Sequence, residues 1–323
     1  MNTTQAQLGA VLAAGGPELT RLLDSTEERL AQVAQAYGSE LAQHATGTLF
    51  AGGKRLRPML VFLCANEGDG RLVAAAAAVE LLHMATLVHD DVLDRAPLRR
   101  GRATVFAQAG RAAATATGDL LFSRAFAELA STGDPDAVRA LSAASSALAH
   151  GELMQRADAW RADVEPERYL ERCRLKTASL FEASCRLGAL FGERAELAGP
   201  LGRFGAQIGL AFQMLDDVLD VSGPSERTGK PRGTDLLDGT VTLPLILAQR
   251  SDPSLQRLDP GLSPSAAGEI CDRIVATGAL AEARDQALGH VAEAKEEVEQ
   301  LTLPAERKRA LELVADGVVE RYA

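Results

Sequence analysis

Along most of the chain apolar residues recur at three- and four-residue spacing, the period of an amphipathic helix, while the strict alternation of a half-buried strand is scarce. The pattern predicts helices over 18–37, where Leu19, Leu22, Leu23, Leu30 and Val33 share one side, and over 40–50 and 57–66, the last with Pro58 acceptable in its first turn. Residues 72–94 are apolar all round, which marks a helix buried at the centre of a bundle. One or two helices are expected over 104–130, then single helices over 134–161, 166–191 and 193–221. Shorter segments at 243–248, 265–277, 278–301 and 304–322 complete the chain.

The breaks between these segments are short, apart from 222–239, rich in Gly, Pro and charge, and 251–264, which holds three prolines. Helices of similar composition continue on both sides of each, so neither reads as a domain linker. The expectation is one all-α domain spanning 1–323, a single large bundle of roughly ten or more helices joined by short connections. Residues 1–16 are expected to form a loose N-terminal segment, and no solenoid-period repeat is visible.

Charge and composition narrow the partners. The net charge of −10 argues against nucleic-acid binding, and aromatics at 4% argue against a base-stacking platform. Cys64, Cys173, Cys185 and Cys271 lie far apart without metal-ligand spacing and read as reduced buried thiols. The start of the chain lacks the basic flank of a signal peptide. The apolar stretch 72–88 is interrupted by Glu80 and His83, which are costly in lipid, so no stable membrane anchor is expected and the cytoplasm is the expected compartment.

Two acidic clusters carry the chemistry. Asp90, Asp91 and Asp94 lie in HDDVLD, and Asp216, Asp217 and Asp220 in QMLDDVLD; both read D-D-x-x-D, and each ends a long apolar helix. On a helix, positions i and i+4 share a face while i+1 lies about 100° round. Asp90 and Asp94 therefore project together, as do Asp216 and Asp220. Carboxylates crowded at a helix C-terminus, where the helix dipole is already negative, are unfavourable without a cation. Oxygen ligands with no His or Cys pattern suit Mg²⁺ or Mn²⁺, and Mg²⁺ typically takes one or two carboxylates plus phosphate oxygens. Two such clusters imply a phosphate-bearing ligand between them. Cations surround them in sequence: Lys54, Arg55 and Arg57 in GGKRLRP, Arg95, Arg99, Arg100 and Arg102 after the first cluster, Lys176 beside Thr177, and Lys230 and Arg232 after the second. Together these supply what one diphosphate on metal and another on bare cations need.

These strings, with RRG at 99–101, GDLLF at 118–122, KTASLF at 176–181, GK at 229–230 and TLP at 242–244, resemble the trans-isoprenyl (polyprenyl) diphosphate synthases over nearly the whole chain. The resemblance implies a helical bundle of the isoprenoid synthase type with a central active-site cavity. It implies a prenyltransferase that condenses isopentenyl diphosphate with an allylic diphosphate, and family members usually pair as homodimers. Carried over by position, it makes Asp90, Asp91, Asp94 and Asp216 ligands of Mg²⁺, with Asp217 and Asp220 completing the second acidic wall. Arg99, Lys176 and Lys230 would hold the allylic diphosphate. Lys54, Arg57, His83 and Arg100 would hold that of isopentenyl diphosphate. Thr177 and Gln213 would lie beside the reacting carbons. One departure stands out: the family often has Lys two residues before T-L-P, and here Thr240 takes that place.

The growing product would run down into the bundle past the turn before Asp90. Ala85 and Thr86 are small there, with Leu82 one turn deeper, and the expected product is longer than geranylgeranyl diphosphate. Phe122, Phe126 and Met154 are candidate floor residues. The alternatives are a short-chain farnesyl or geranylgeranyl synthase, or a non-catalytic subunit of a heteromeric synthase, although such a partner should have lost an Asp cluster. A class I terpene cyclase would replace the second D-D-x-x-D with an N/D-S/T-E triad, which this chain lacks.

Overall fold

A computed structural model of the chain describes residues 3–36, 55–66, 70–99, 101–223, 232–257 and 259–320. Helix α1 (Thr3–Gln35) leads to α2 (Leu56–Cys64) and α3 (Gly70–Leu93). A two-residue hairpin, β1 (Leu98–Arg99) against β2 (Arg102–Ala103), precedes α4 (Val105–Ala130) and α5 (Pro135–Asp158). Next come α6 (Pro166–Cys173), a π-helical turn (Arg174–Ala178), α7 (Ser179–Phe191) and α8 (Ala198–Ser222). Short α9 (Thr234–Leu237), α10 (Leu243–Ser251), α11 (Pro264–Ala276), α12 (Ala279–Gln300) and α13 (Ala305–Glu320) follow.

Several helix starts are written in the sequence. Asp134 caps α5 by accepting from the amides of Asp136 and Ala137 at 2.9 and 3.0 Å, with Pro135 in the first turn. Thr104 caps α4 through the Ala107 amide at 3.1 Å and donates to the Ala96 carbonyl at 2.6 Å, tying the hairpin to the helix. Helix α3 is the central element. Its Ala75–Ala78 run and Val79, Leu81 and Leu82 are fully buried, and it packs most extensively against α4. Among the described residues it is the helix long and apolar enough to cross a membrane, yet two thirds of that stretch (67%) is buried inside the bundle. Helix α8 lies between α7 and α12, so both acidic helices, α3 and α8, run through the interior. The four cysteines are free and buried.

Four expectations need revision. Residues 3–15 are not loose: they continue α1, bent at Gly16 (φ +75°), and α1 packs along α13 with Val11 buried. Helix α4 is one element with a bend at Gly110 (φ +80°). The 166–191 segment is interrupted by the π turn, which widens the helix by one residue at Lys176 and Thr177. Helix α8 begins at Ala198 after a short 3₁₀ turn (Ala195–Leu197), rather than at 193. The helix expected over 40–50 lies outside the described residues.

Candidate active site

The C-terminal ends of α3 and α8 open onto one cleft of about 260 Å³, lined by Asp90 and Asp94 on one side and Asp216 and Asp217 on the other. The two D-D-x-x-D repeats thus share a cavity. Arg57, His83, Thr86, Arg99, Lys176, Thr177 and Gln213 line the same space. Lys54, Arg100 and Lys230 lie outside the described residues.

Within the first cluster the 100° offset separates the roles. Asp91 turns away from the cleft, is buried, and accepts from Arg99 Nε at 2.7 Å, which anchors the hairpin to the end of α3. Asp91, expected among the Mg²⁺ ligands, is thus placed against Arg99 rather than among the residues lining the cleft. Asp94 faces the cleft and accepts from Arg156 Nη2 at 2.7 Å, an arginine of α5. Burial lifts the Asp90 carboxyl from its ordinary 3.8 to about 6; Lys176 opposes the shift, and Glu152 and Asp94 add to it.

The second cluster is built differently. Asp217 is buried and accepts from Tyr169 Oη at 2.7 Å and from Gln213 Nε2 at 2.8 Å. Burial and the nearby Asp235 push it up to about 8, against the pull of those two hydrogen bonds. Gln213 Oε1 in turn accepts from Thr177 Oγ1 at 2.7 Å, so Thr177, Gln213, Asp217 and Tyr169 form one chain of hydrogen bonds across α6, the π turn and α8. Asp220 Oδ2 accepts from the Asp235 amide at 3.2 Å and fastens the start of α9 to α8.

Lys176 reaches the cleft because the π turn rotates it out of helical register. Its Nζ pairs with Glu152 and donates to Gln155 Oε1 at 3.2 Å. Burial would lower its pKa, but Asp90 and Glu152 outweigh burial and hold it above the usual lysine value. Two glycines clamp the turn. A Cβ on Gly151 of α5 would sit 2.5 Å from the Lys176 amide nitrogen, and one on Gly209 of α8 would sit 2.5 Å from Ala178 Cα. Arg57 lies over the Phe181 ring, 4.5 Å from its centroid. Its neighbour Arg55, in a left-handed conformation (φ +47°), ties α1 to α3 by pairing with Glu27 and with Glu80 at 2.6 Å.

The apolar part of the cleft includes Leu87, Leu148, Leu180 and Phe212. Thr86 lines it, whereas Leu82 and Ala85 are fully buried in the packing behind. Phe122 and Phe126 pack against each other in a tilted pair with centroids 5.4 Å apart, Phe122 is 37% exposed, and neither lines this cleft. Met154 does not line it either. Sequence reasoning missed Glu152, Gln155, Tyr169, Arg172, Asp235 and Asp238, all in or against the cleft. Glu152 and Gln155 carried a signal: with Arg156 they form a polar stripe at helical spacing.

Among the described residues no three His, Cys or carboxylate side chains converge tightly enough to cage an ion. The donor set still fits a divalent cation completed by a ligand. It is all oxygen, it lies on two facing helix ends, and it includes Asp90, whose carboxyl burial raises to about 6 and whose charged form a cation would favour.

Comparisons with known proteins agree with this geometry. The polyprenyl synthetase family model matches residues 39–272. Component 2 of the heptaprenyl diphosphate synthase of Geobacillus stearothermophilus is 44% identical over 230 residues, covering 70% of this chain and 72% of that protein. The geranylgeranyl diphosphate synthase of Methanosarcina mazei is 36% identical over 282 residues, 84% of this chain and 86% of that one. The crystal structure of a Caulobacter crescentus polyprenyl synthase, complexed with calcium and isoprenyl diphosphate, superposes with a TM-score of 0.85 at 33% identity, covering 94% of this chain and 97% of that one. The match over most of the chain, on a bundle whose two acidic helix ends face one cleft, shows that the chain belongs to the polyprenyl synthetase family of prenyltransferases.

Proposed function

We propose that the protein adds isopentenyl diphosphate head-to-tail to an allylic diphosphate, with Mg²⁺ as its cation, and makes a product longer than geranylgeranyl diphosphate. One observation carries the reading: Asp90 and Asp94 face Asp216 across a cleft that also holds Lys176, Arg99 and Arg57 and continues into an apolar wall. Mg²⁺ held by Asp90, Asp94 and Asp216 would neutralise the charge of the departing diphosphate. Asp91, Asp217 and Asp220, engaged with Arg99, Tyr169 with Gln213, and the Asp235 amide, keep the walls in place.

Arg99, Lys176 and Lys230 grip the allylic diphosphate, while Lys54, Arg57, His83 and Arg100 grip that of isopentenyl diphosphate. The allylic C–O bond breaks toward the bound diphosphate, and the isopentenyl double bond attacks the allylic cation from alongside. Placing the two reactants together supplies much of the rate. The oxygens of Thr177 and Gln213 lie beside the developing positive charge, and the released proton goes to the departing diphosphate. Leu87, Leu148, Leu180 and Phe212 exclude the water that would quench the cation. A small side chain at Thr86 leaves room for the chain to lengthen. The family resemblance supports a homodimer.

The test is incubation with Mg²⁺, labelled isopentenyl diphosphate and each allylic primer from dimethylallyl to geranylgeranyl diphosphate, followed by sizing of the products. A ladder past geranylgeranyl is expected. A stop at farnesyl or geranylgeranyl would refute the product length alone. No incorporation with any primer would refute the catalytic reading and favour a subunit that needs a partner.

A further inference from the structure

The wall carrying Thr240 faces the cleft without the lysine that the T-L-P pattern often brings there. An arginine from a different element stands beside it. We propose that Arg172 of α6 supplies the positive charge of this wall and thereby contributes to holding a diphosphate; the inference rests on the prenyl diphosphate reading of the cleft.

Arg172 lines the cleft together with Thr240 and Thr242, and its Nη2 donates to the carbonyl of Val241, the residue between them. Its charge is only partly consumed inside the protein. Asp158, fully buried at the end of α5, is shared by two guanidinium groups. Arg168 Nε takes it at 2.6 Å, whereas Arg172 Nη1 stands 3.4 Å away and its other terminal nitrogen is spent on a neutral carbonyl. Around Asp158 two cations share one anion, and Arg172 is the member against the cleft, whose wall also carries Asp235 and Asp238. In a poorly solvated wall such a charge acts on a nearby anion far more strongly than it would in water.

The wall is also held in register. The Trp160 amide donates to the Gly239 carbonyl at 2.9 Å, and the Thr240 amide to the Asp235 carbonyl at 2.8 Å. Gly239 has φ +73°, and a Cβ there would lie 2.2 Å from the Trp160 ring, so only glycine fits. The loop before Thr242 is therefore fixed against the α5–α6 connection that follows Asp158, and Arg172 keeps one position relative to Thr240.

The experiment compares wild type, Arg172→Gln, Arg172→Gln with Thr240→Lys, and Thr240→Lys alone. It measures KM for the allylic and for the isopentenyl diphosphate, binding of inorganic pyrophosphate with Mg²⁺ by calorimetry, and Tm. Loss of one charged contact is expected to raise the allylic KM and the pyrophosphate Kd about tenfold. The isopentenyl KM should move less than about twofold, and Thr240→Lys should restore most of the loss in the double variant. Unchanged allylic KM and pyrophosphate Kd in a folded Arg172→Gln would overturn the proposal. So would an equal loss for both substrates that Thr240→Lys does not restore, which is the mark of a structural role. Should Arg172→Gln not fold, Thr240→Lys alone decides. With Arg172 already charged, the added lysine should tighten pyrophosphate by less than about threefold, whereas a larger gain would show that the wall lacked a cation. An inactive wild type would sink the catalytic reading instead, and the pyrophosphate comparison would still decide the role of Arg172.

Discussion

Replacing Gly151 with alanine tests whether the π turn must sit where it does for Lys176 to work. The added Cβ would lie 2.5 Å from the Lys176 amide nitrogen and 2.8 Å from its Cα, both backbone atoms that no side-chain rotation can move aside. Ordinary contact begins near 3.4 Å, so α5 and the π turn must separate by about 0.9 Å. Overpacking of this kind costs about 1–3 kcal/mol, and the helix preference of alanine over glycine returns about 0.5–1. A net loss of up to about 2.5 kcal/mol follows, or up to a few degrees in Tm for a chain of this size. The effect on catalysis should be larger in proportion. A displacement of about 1 Å in a group that positions substrate can cost about a hundredfold in kcat/KM. Gly209→Ala pushes the same turn from α8, with its Cβ 2.5 Å from Ala178 Cα, and should act alike. Gly289→Ala, on an exposed face of α12 with nothing within 4 Å, is the control and should stabilise by about 0.5–1 kcal/mol. Denaturant unfolding and steady-state kinetics of the three variants give the answer. A Gly151→Ala enzyme with wild-type kcat/KM, stable or not, would refute the claim that the glycine clamp sets the position of Lys176.

Asp217, lifted from 3.8 to about 8 by burial, holds its proton in the native state after the unfolded chain has released one, so its contribution to stability is full below about pH 4 and fades as pH rises through 8. Asp90, lifted to about 6, acts the same way over a narrower window. Thermal melts of the metal-free protein should show this downward component between pH 4 and 8, and Asp217→Asn should remove most of it; an unaltered slope in that variant would contradict the assignment. Tyr169→Phe deletes the 2.7 Å hydrogen bond to Asp217 and should cost about 1–3 kcal/mol in urea unfolding, with kcat falling because Gln213 and Thr177 lose their anchor; an effect under half a kcal/mol would show the bond to be dispensable. Arg55→Leu leaves Glu80 buried without this partner and should destabilise by about 3–5 kcal/mol, while the Arg55→Leu/Glu80→Leu pair should lose much less than the sum of the single changes; strict additivity would mean that the two do not interact.

Much of this site was legible in the residue string because its chemistry is local. The i, i+4 spacing of Asp90 and Asp94 gives their shared face, and the 100° offset of Asp91 accounts for its turn toward Arg99. What the string withheld depends on distant partners. The first turns of α1 looked loose because their apolar residues find α13 only at the other end of the chain. The π turn left no mark, since one extra residue per turn changes no residue type. Phe122 and Phe126 show their aromatic size in the sequence but not their direction, and they pair with each other outside the cleft lining. Thr240 was visible as a missing lysine, but the arginine beside it comes from α6, far earlier in the chain.

The two acidic repeats are alike in sequence and unlike in construction. At the end of α3 the supporting partners are arginines: Arg99 on Asp91 and Arg156 on Asp94. These ion pairs fix the carboxylates without removing their charge. At the end of α8 the partners of Asp217 are the neutral Tyr169 and Gln213, in a buried setting that favours the protonated acid at neutral pH. Both Asp217 oxygens are occupied, and each leads to a group that touches the cleft, Tyr169 on one side and Gln213 with Thr177 on the other. Under the proposed reaction, the second wall would offer Asp216 to a cation and use Asp217 to hold Gln213 and, through it, Thr177. In that same proposed reaction, the first copy of the motif would gather charge for the leaving diphosphate, and the second would orient the polar groups along the path of the cation.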